Sequence, residues 1–214
     1  MGLAFYAPEA VRGRRAKPAS QRSQDDADAL ERSLGELPPP ELVPSFVVLS
    51  GLPASGKTHL SREIARRHRF AVLNIDSLRK TLLPHPAYSQ AEHDRTFAAV
   101  HELIGRLLAR GVSVLYDATN LKEQHRQDLY EIGERNEARL QLVQVRAPEA
   151  VIRKRLRERR HGDGDGASDA GIDVYESMRD SEEPIRRPHL TVDTSEDIIA
   201  AVDKILDELR KVNV

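Results

Sequence analysis

The sequence predicts an α/β fold, a five-stranded parallel sheet sandwiched by helices. Three observations lead there. Five short apolar runs rich in β-branched residues recur along the chain and alternate with stretches of helical spacing. The first two runs are apolar at successive positions, the pattern of strands covered on both faces. The first of them, Phe46-Val47-Val48-Leu49-Ser50, passes straight into Gly51-Leu52-Pro53-Ala54-Ser55-Gly56-Lys57-Thr58, after which Leu60, Ile64 and Ala65 take up helical spacing. Strand, glycine loop and helix follow one another without a break, as a crossover of a parallel sheet requires.

The other elements follow in order. Phe70 to Ile75 reads as the second strand, ending in Asp76, and Ser77-Leu78-Arg79-Lys80 begins a turn of helix. Ser89-Gln90-Ala91-Glu92 is a capping box for a long helix whose Phe97, Val100, Ile104, Leu107 and Leu108 form one stripe, stopped by Gly111. His93 and His101 flank the stripe and read as half-buried packing residues, because no carboxylate or imidazole stands at metal-binding spacing. Val112 to Tyr116 is the third strand and delivers Asp117-Ala118-Thr119-Asn120 to the carboxyl edge, where Asp76 also falls. A helix over about 122–136, a strand over 140–145 and a helix opened by Pro148 continue the alternation. Gly162 to Gly171 reads as a mobile loop without calcium-loop spacing. A helix over 171–179, a strand over 190–192 and a last helix to about Lys211, capped by Thr194 and Asp197, complete the pattern. Ligands of such sheets bind at the carboxyl ends of the strands.

Residues 1–44 differ from the rest. Arg12, Arg14, Arg15 and Lys17 stand among small and polar residues, and Pro38-Pro39-Pro40 and Pro44 precede the first strand. We expect a flexible arm and a proline linker there, with at most one short helix over Asp25 to Leu34, on which Ala27, Leu30 and Leu34 share a side.

Composition narrows the function classes. The 33 basic and 34 acidic residues leave a formal net charge of -1, which excludes a globally basic nucleic-acid-coating protein and confines any polyanion contact to a local patch. Cysteine is absent, so disulfides and thiolate metal sites are excluded. No apolar run approaches the length of a membrane span, and a soluble cytoplasmic protein with no membrane contact and no obligate protein partner is expected.

The loop Gly51 to Thr58 matches G-x-x-x-x-G-K-[ST]. Its glycines let consecutive N–H groups curl around phosphate oxygens at a helix N-terminus, whose dipole favours negative charge. A nucleotide held there meets Gly51, Pro53, Ala54, Ser55, Gly56, Lys57, Thr58 and His59, with Lys57 on the β- and γ-phosphates and the Thr58 hydroxyl on Mg²⁺. The helix after Pro148 adds cations. At 100° per residue, Val151, Ile152, Arg155, Leu156 and Arg159 fall within an arc of about 140°. Arg153, Lys154, Arg157 and Arg160 lie outside it, on a face expected to be solvated. Two inward arginines need an anion, and the triphosphate is the nearest large one.

Taken together, the glycine loop, Asn74-x-Asp76-x-x-Arg79, Asp117-Ala118-Thr119-Asn120 and the Arg155/Arg159 pair followed by Val174-Tyr175-Glu176 resemble one family. It is that of the P-loop kinases, AAA-type ATPase-like in outline, related to polynucleotide 5′-hydroxyl kinases and zeta toxins. The resemblance covers residues 45–214, with a lid over about 148–182. It implies a P-loop NTPase fold and a kinase that uses ATP and Mg²⁺ to phosphorylate a hydroxyl, on a polynucleotide 5′ end or similar. It implies that Asp76 accepts the hydroxyl's proton, that Arg79 binds the acceptor's phosphate, and that Thr119 and Asn120 line the acceptor side. Asp117 serves either the acceptor or, through water, Mg²⁺, and Arg155 and Arg159 clamp the transferring phosphoryl group. Kinases of gluconate, chloramphenicol and sugar nucleotides share the outline, and an NTP-hydrolysing switch that binds a partner is the alternative from another class.

Overall fold

The structure, a computed structural model, describes residues 19–160 and 171–211. The arginines of the first eighteen residues and most of the expected mobile loop lie outside that range. The elements run α1 (Ala19–Ser33), β1 (Ser45–Ser50), α2 (Lys57–Arg67), β2 (Ala71–Asn74), α3 (Ile75–Leu82), α4 (Gln90–Ala109) and β3 (Val114–Asp117). They continue as α5 (Glu123–Arg135), β4 (Arg139–Arg146), α6 (Glu149–Arg160), α7 (Ile172–Asp180), β5 (Leu190–Asp193) and α8 (Ile199–Arg210). The five strands form one parallel sheet in the order β2-β3-β1-β4-β5, the P-loop NTPase-type fold expected.

Period-two alternation divides the strand residues between two cores. On one face Phe46, Val48, Leu73, Val114, Tyr116 and Leu142 pack with helices α1, α3, α4 and α5. On the other Val47, Leu49, Leu115, Val143 and Val192 meet Leu60 and Ile64 of α2 and Val202, Ile205 and Leu206 of α8. Covering both faces leaves the sheet's carboxyl edge as the place where the loops after β1, β2 and β3 converge. Among the described residues no helix is long and apolar enough to cross a membrane.

Residues 19–33 correct the expectation of a flexible arm over 1–44. Ala27 and Leu30 of α1 are fully buried in the first core, and Leu34 packs against it. Three acidic side chains of α1 meet two arginines of α4 and the arginine that caps its C-terminus: Asp26 accepts two bonds from Arg95 (2.7 and 2.8 Å), Asp28 pairs with Arg106, and Glu31 with Arg110. The exposed pairs contribute little each. The forked Asp26–Arg95 contact is the stronger kind, because both carboxylate oxygens are used and Asp26 is buried. The linker is also fixed: Glu41 N–H donates to Gly111 O, and Pro44 O accepts from Arg139 N–H.

Candidate active site

The loop between β1 and α2 is held by its backbone. Gly51 N–H donates to Thr119 O at 2.9 Å, and Ser55 N–H closes a turn on Leu52 O. Gly56 has φ 98°, and a Cβ there meets Thr194 Oγ1 at 2.5 Å, so a larger residue is excluded by both conformation and space. Ala54 also has a left-handed backbone, φ 60°. Gly56 is the N-cap of α2 and supplies no side-chain cap, and the first turn carries no acidic residue. The N-terminal N–H groups of α2 thus remain available to an anion. Pro53 and Ser55 are buried in the loop, while His59 is exposed on α2.

Lys57 departs from the exposed lysine its loop position suggests. Its side chain is buried, and Nζ donates to Gly51 O (2.9 Å) and Leu52 O (2.8 Å). Burial lowers its proton affinity, Asp117 and Asp76 oppose that shift, and Arg159 adds to it. The four residues therefore share one electrostatic neighbourhood, although they come from four different elements.

Asp117, at the end of β3 and 2 % exposed, accepts from Thr58 Oγ1 (2.7 Å) and from Asn74 Nδ2 (2.8 Å) on the same oxygen. A hydroxyl and a carboxylate in contact, with Asp76 close by, form an oxygen-only donor set. Mg²⁺ uses such sets, taking one or two carboxylates and leaving its other positions to water and substrate phosphates. Among the described residues no group of three or more carboxylates or imidazoles could hold a metal without that help.

Asn74 has a larger part than its place at a strand end suggested. Its Oδ1 accepts from Ser77 N–H at 3.0 Å, so Asn74 caps α3. The second strand ends there rather than at Ile75, and Asp76 lies in the first turn of α3, leaving the cap to Asn74. An Asn just before an apolar helical run was the available signal.

Arg79 lies one turn on from Asp76. It is 5 % exposed, its Nε and Nη1 find no hydrogen-bond partner among the described residues, and its guanidinium sits 5.5 Å from the ring centroid of Tyr88. Ser55 Oγ, the Tyr116 hydroxyl and Asn120 Oδ1 are buried and unpartnered in the same sense. Burial raises the Tyr116 proton affinity, so its hydroxyl keeps its proton. Buried polar groups are normally paired, so these unmet atoms along one edge mark where a polar ligand fits. Thr119 and Asn120 are tied back to β1: Thr119 O accepts from Gly51 N–H, and Asn120 Nδ2 donates to Leu49 O at 2.7 Å.

The inward arc of α6 is observed. Ile152 and Leu156 are buried, Arg155 and Arg159 are half-buried, and Lys154 and Arg157 are exposed. Arg155 spends its donors on the protein, from Nη1 to Ala54 O (3.2 Å) and Thr194 Oγ1 (2.9 Å) and from Nη2 to Thr194 O (2.8 Å). Thr194, expected as a helix cap, is buried and donates to Ser55 O at 2.6 Å; Asp197 accepts from Ile199 N–H at the start of α8, whose N-cap position is Ile198 and carries no side-chain cap. Arg155 and Thr194 thus brace the glycine loop from behind. Arg153 is not simply solvated: it pairs with Glu149 and with Glu176 of α7 and lies 5.9 Å from the Tyr175 ring. Tyr175 is buried with Ala54, Ile152 and Leu156, so α7 packs directly on the loop.

Sequence reasoning missed Arg126 altogether. This fully buried side chain donates to Glu123, Asn120 O, Leu121 O, Glu183 O and Pro184 O, linking the loop after β3 to the segment after α7. Glu183 in turn accepts from Glu123 N–H and Lys122 Nζ, capping α5 from a distant segment.

The profile of the AAA domain family matches residues 46–185. No curated protein matches the chain. Among solved structures, the APS kinase of Mycobacterium tuberculosis, solved with AMPPNP and APS, is 20% identical with a TM-score of 0.59; the match covers 81% of this chain and 100% of that one. Kti12 of Chaetomium thermophilum, solved with ADP-AlF3, is 22% identical with a TM-score of 0.61, covering 77% and 96%. A gluconokinase of Sinorhizobium meliloti is 21% identical with a TM-score of 0.56, covering 79% and 93%. At these identities the likeness is one of fold. The family match spans the glycine loop, both edge carboxylates and helices α6 and α7, and by it the chain belongs to the AAA domain family.

Proposed function

We propose that this protein is an ATP-dependent kinase that transfers the γ-phosphate to a hydroxyl lying close to an anionic group of its acceptor. The observation that carries this reading is Arg79, a buried guanidinium with two unmet donor atoms one helical turn from Asp76. A carboxylate that can take a proton and a forked cation that can grip phosphate, sulfate or carboxylate suit two neighbouring groups of one acceptor. A polynucleotide 5′-hydroxyl followed by its first phosphate is one member of that class, and phosphorylated or acidic small molecules are others. The near-zero net charge favours contact with one or two phosphates over a long strand.

In this reading the loop N–H groups and Lys57 hold the donor phosphates, and Asp76 takes the hydroxyl proton. The acceptor oxygen then attacks the γ-phosphorus as its bond to the β-phosphate oxygen breaks, leaving ADP. Thr58, with Asp117 beside it, would hold Mg²⁺, which would supply neutralisation of phosphate charge. Arg159 faces the same charge, whereas Arg155 acts through the loop it braces.

The test is a labelled-ATP assay on the full chain. A nucleoside 3′-phosphate should outperform the bare nucleoside, and Arg79→Met, folded by circular dichroism, should erase the difference. Asp76→Asn should lower kcat about a hundredfold while leaving ATP affinity nearly unchanged, since the amide keeps the shape and loses the base. No transfer to any hydroxyl acceptor, with ATP bound, overturns the reading.

The two lid arginines should separate kinetically. Arg159→Ala should lower kcat by about tenfold or more, as loss of a charge-stabilising donor does. Arg155→Ala should act mainly on KM for ATP, because it releases hydrogen bonds worth about 1–3 kcal/mol that shape the loop. Equal kcat losses with unchanged KM would contradict the division.

A further inference from the structure

Each crossover helix of a parallel sheet runs back from the carboxyl edge to the amino edge, so α4 and α5 lie parallel on the same face of the sheet. Near their starts they touch through half-buried rings, Phe97 on His125 at 5.6 Å and His93 on His125 at 6.0 Å. Beyond these rings a groove of about 640 Å³ opens between His101, Gly105 and Arg106 of α4 and Asp128, Ile132 and Arg135 of α5. A second hollow of about 470 Å³ continues it past Ala109, Arg135 and Asn136 to Gly111 and Leu42 at the amino edge. Gly105 leaves the middle open, since a Cβ there meets nothing within 4 Å. His101 Nε2 is buried and finds no hydrogen-bond partner among the described residues. The reaction above uses none of this face.

Its charges are of two kinds. Arg106 is answered by Asp28 and Glu102, and Arg110 by Glu31. Asp128 accepts a 3.5 Å bond from Gln124 and Arg135 donates Nε to Glu131 O, but neither forms an ion pair among the described residues. They stand two turns apart on α5, about 10 Å along its axis, on one side of the helix and opposite in sign. That is too far for them to pair with each other. An antiparallel copy of α5, however, sets the Asp128 of each copy against the Arg135 of the other, twice over.

Leu42 is a second and independent observation. A lone exposed leucine is ordinary, but this one is fully exposed and held in place, by Glu41 N–H on Gly111 O (2.8 Å) before it and Arg139 N–H on Pro44 O (2.9 Å) after it. Gly111 lies about 9 Å beyond Gly105 in the direction of α4, and the exposed Ala98 about 10 Å before it. A two-fold axis crossing the groove at Gly105 therefore carries Leu42 of one copy to Ala98 and His101 of the other.

We infer that this groove is an interface and that its occupant is a second copy of the chain, with α5 lying antiparallel on α5 and each Leu42 entering the other copy's groove. Such an isologous contact uses one surface twice and closes at a dimer. The formal net charge of -1 sets no long-range repulsion against it. The interface takes no residue from the glycine loop or from α6 and α7, and it stands apart from the kinase reading.

Sedimentation velocity of the full chain reads the mass. A concentration-dependent equilibrium between the 24.0 kDa chain and its dimer is expected. Leu42→Asp, at a side chain that covers no core, should keep the fold and weaken the dimer by about tenfold or more. Asp128→Arg and Arg135→Asp should each weaken it on a similar scale, because each places like charges together at two points. The double variant Asp128→Arg/Arg135→Asp remakes both contacts with the signs exchanged and should regain most of the native affinity. A chain that stays monomeric at about 100 μM, two decades above a micromolar affinity, overturns the inference and leaves the groove to a partner of another kind. A dimer indifferent to Leu42→Asp overturns it as well, and so does a double variant no better than the single ones.

Discussion

Lys57→Met is expected to lower the rate of phosphoryl transfer by about a hundredfold to a thousandfold, the usual cost of removing one preorganised donor from developing charge. The fold should survive. Lys57 is buried, and its ammonium bonds to Gly51 O and Leu52 O, so its loss is not free. Yet burial lowers its proton affinity, which means the protein already holds this charge at a cost. Met fills the space of the stem and removes both the two bonds and that cost. The net stability change should therefore be small, a shift in Tm of a few degrees for a domain of this size. In the proposed function a bound triphosphate would draw the ammonium from the two carbonyls toward the phosphates, so native protein should gain thermal stability with Mg-ATP and the variant much less. Unimpaired turnover in a folded Lys57→Met protein would remove Lys57 from the donor site.

How far the sequence could be read depended on the distance over which each feature is decided. Local signals served well: the apolar runs became strands, Ser89 caps α4 by accepting from Glu92 N–H, and the arc of α6 turned Arg155 and Arg159 inward. Periodicity assigns a face but not a partner. It could not tell that Arg155 meets Thr194, 39 residues away, rather than a ligand. Helix α1 was underestimated for the same reason: its polar composition resembles a disordered segment until Asp26 meets Arg95, 69 residues on. Asn74 was read as lying inside a strand because its cap and its bond to Asp117 depend on where β3 lies beside β2. Among the site residues, those in a contiguous motif were therefore legible. Those that hold the motif in shape came from distant segments and were not.

Arg126 is the extreme case, and its replacement should produce the largest loss of stability. Arg126→Met is expected to cost about 3–5 kcal/mol, because it strips one partner from a buried charged network and leaves the others unmet. At roughly 2–4 °C per kcal/mol for a chain of 150–250 residues, the melting temperature should fall by about 10 °C. The geometry explains why no other side chain suffices. Nη1 reaches Asn120 O (2.9 Å) and Leu121 O (2.8 Å) on one side, and Nη2 reaches Glu183 O (3.0 Å) and Pro184 O (2.9 Å) on the other, while Nε serves Glu123. A planar fork spans both sides at once, whereas a lysine ammonium offers three donors from one point. Arg126→Lys should thus recover only part of the loss. Because Asn120 lies at the proposed acceptor edge and Glu183 in the segment after α7, the folded fraction of either variant should also show a raised KM for the acceptor with ATP affinity less affected. If Arg126→Met melts within a degree or two of the native protein, this linkage contributes little, and the lid segment must be held by the Glu183 contacts to Lys122 and Glu123 instead.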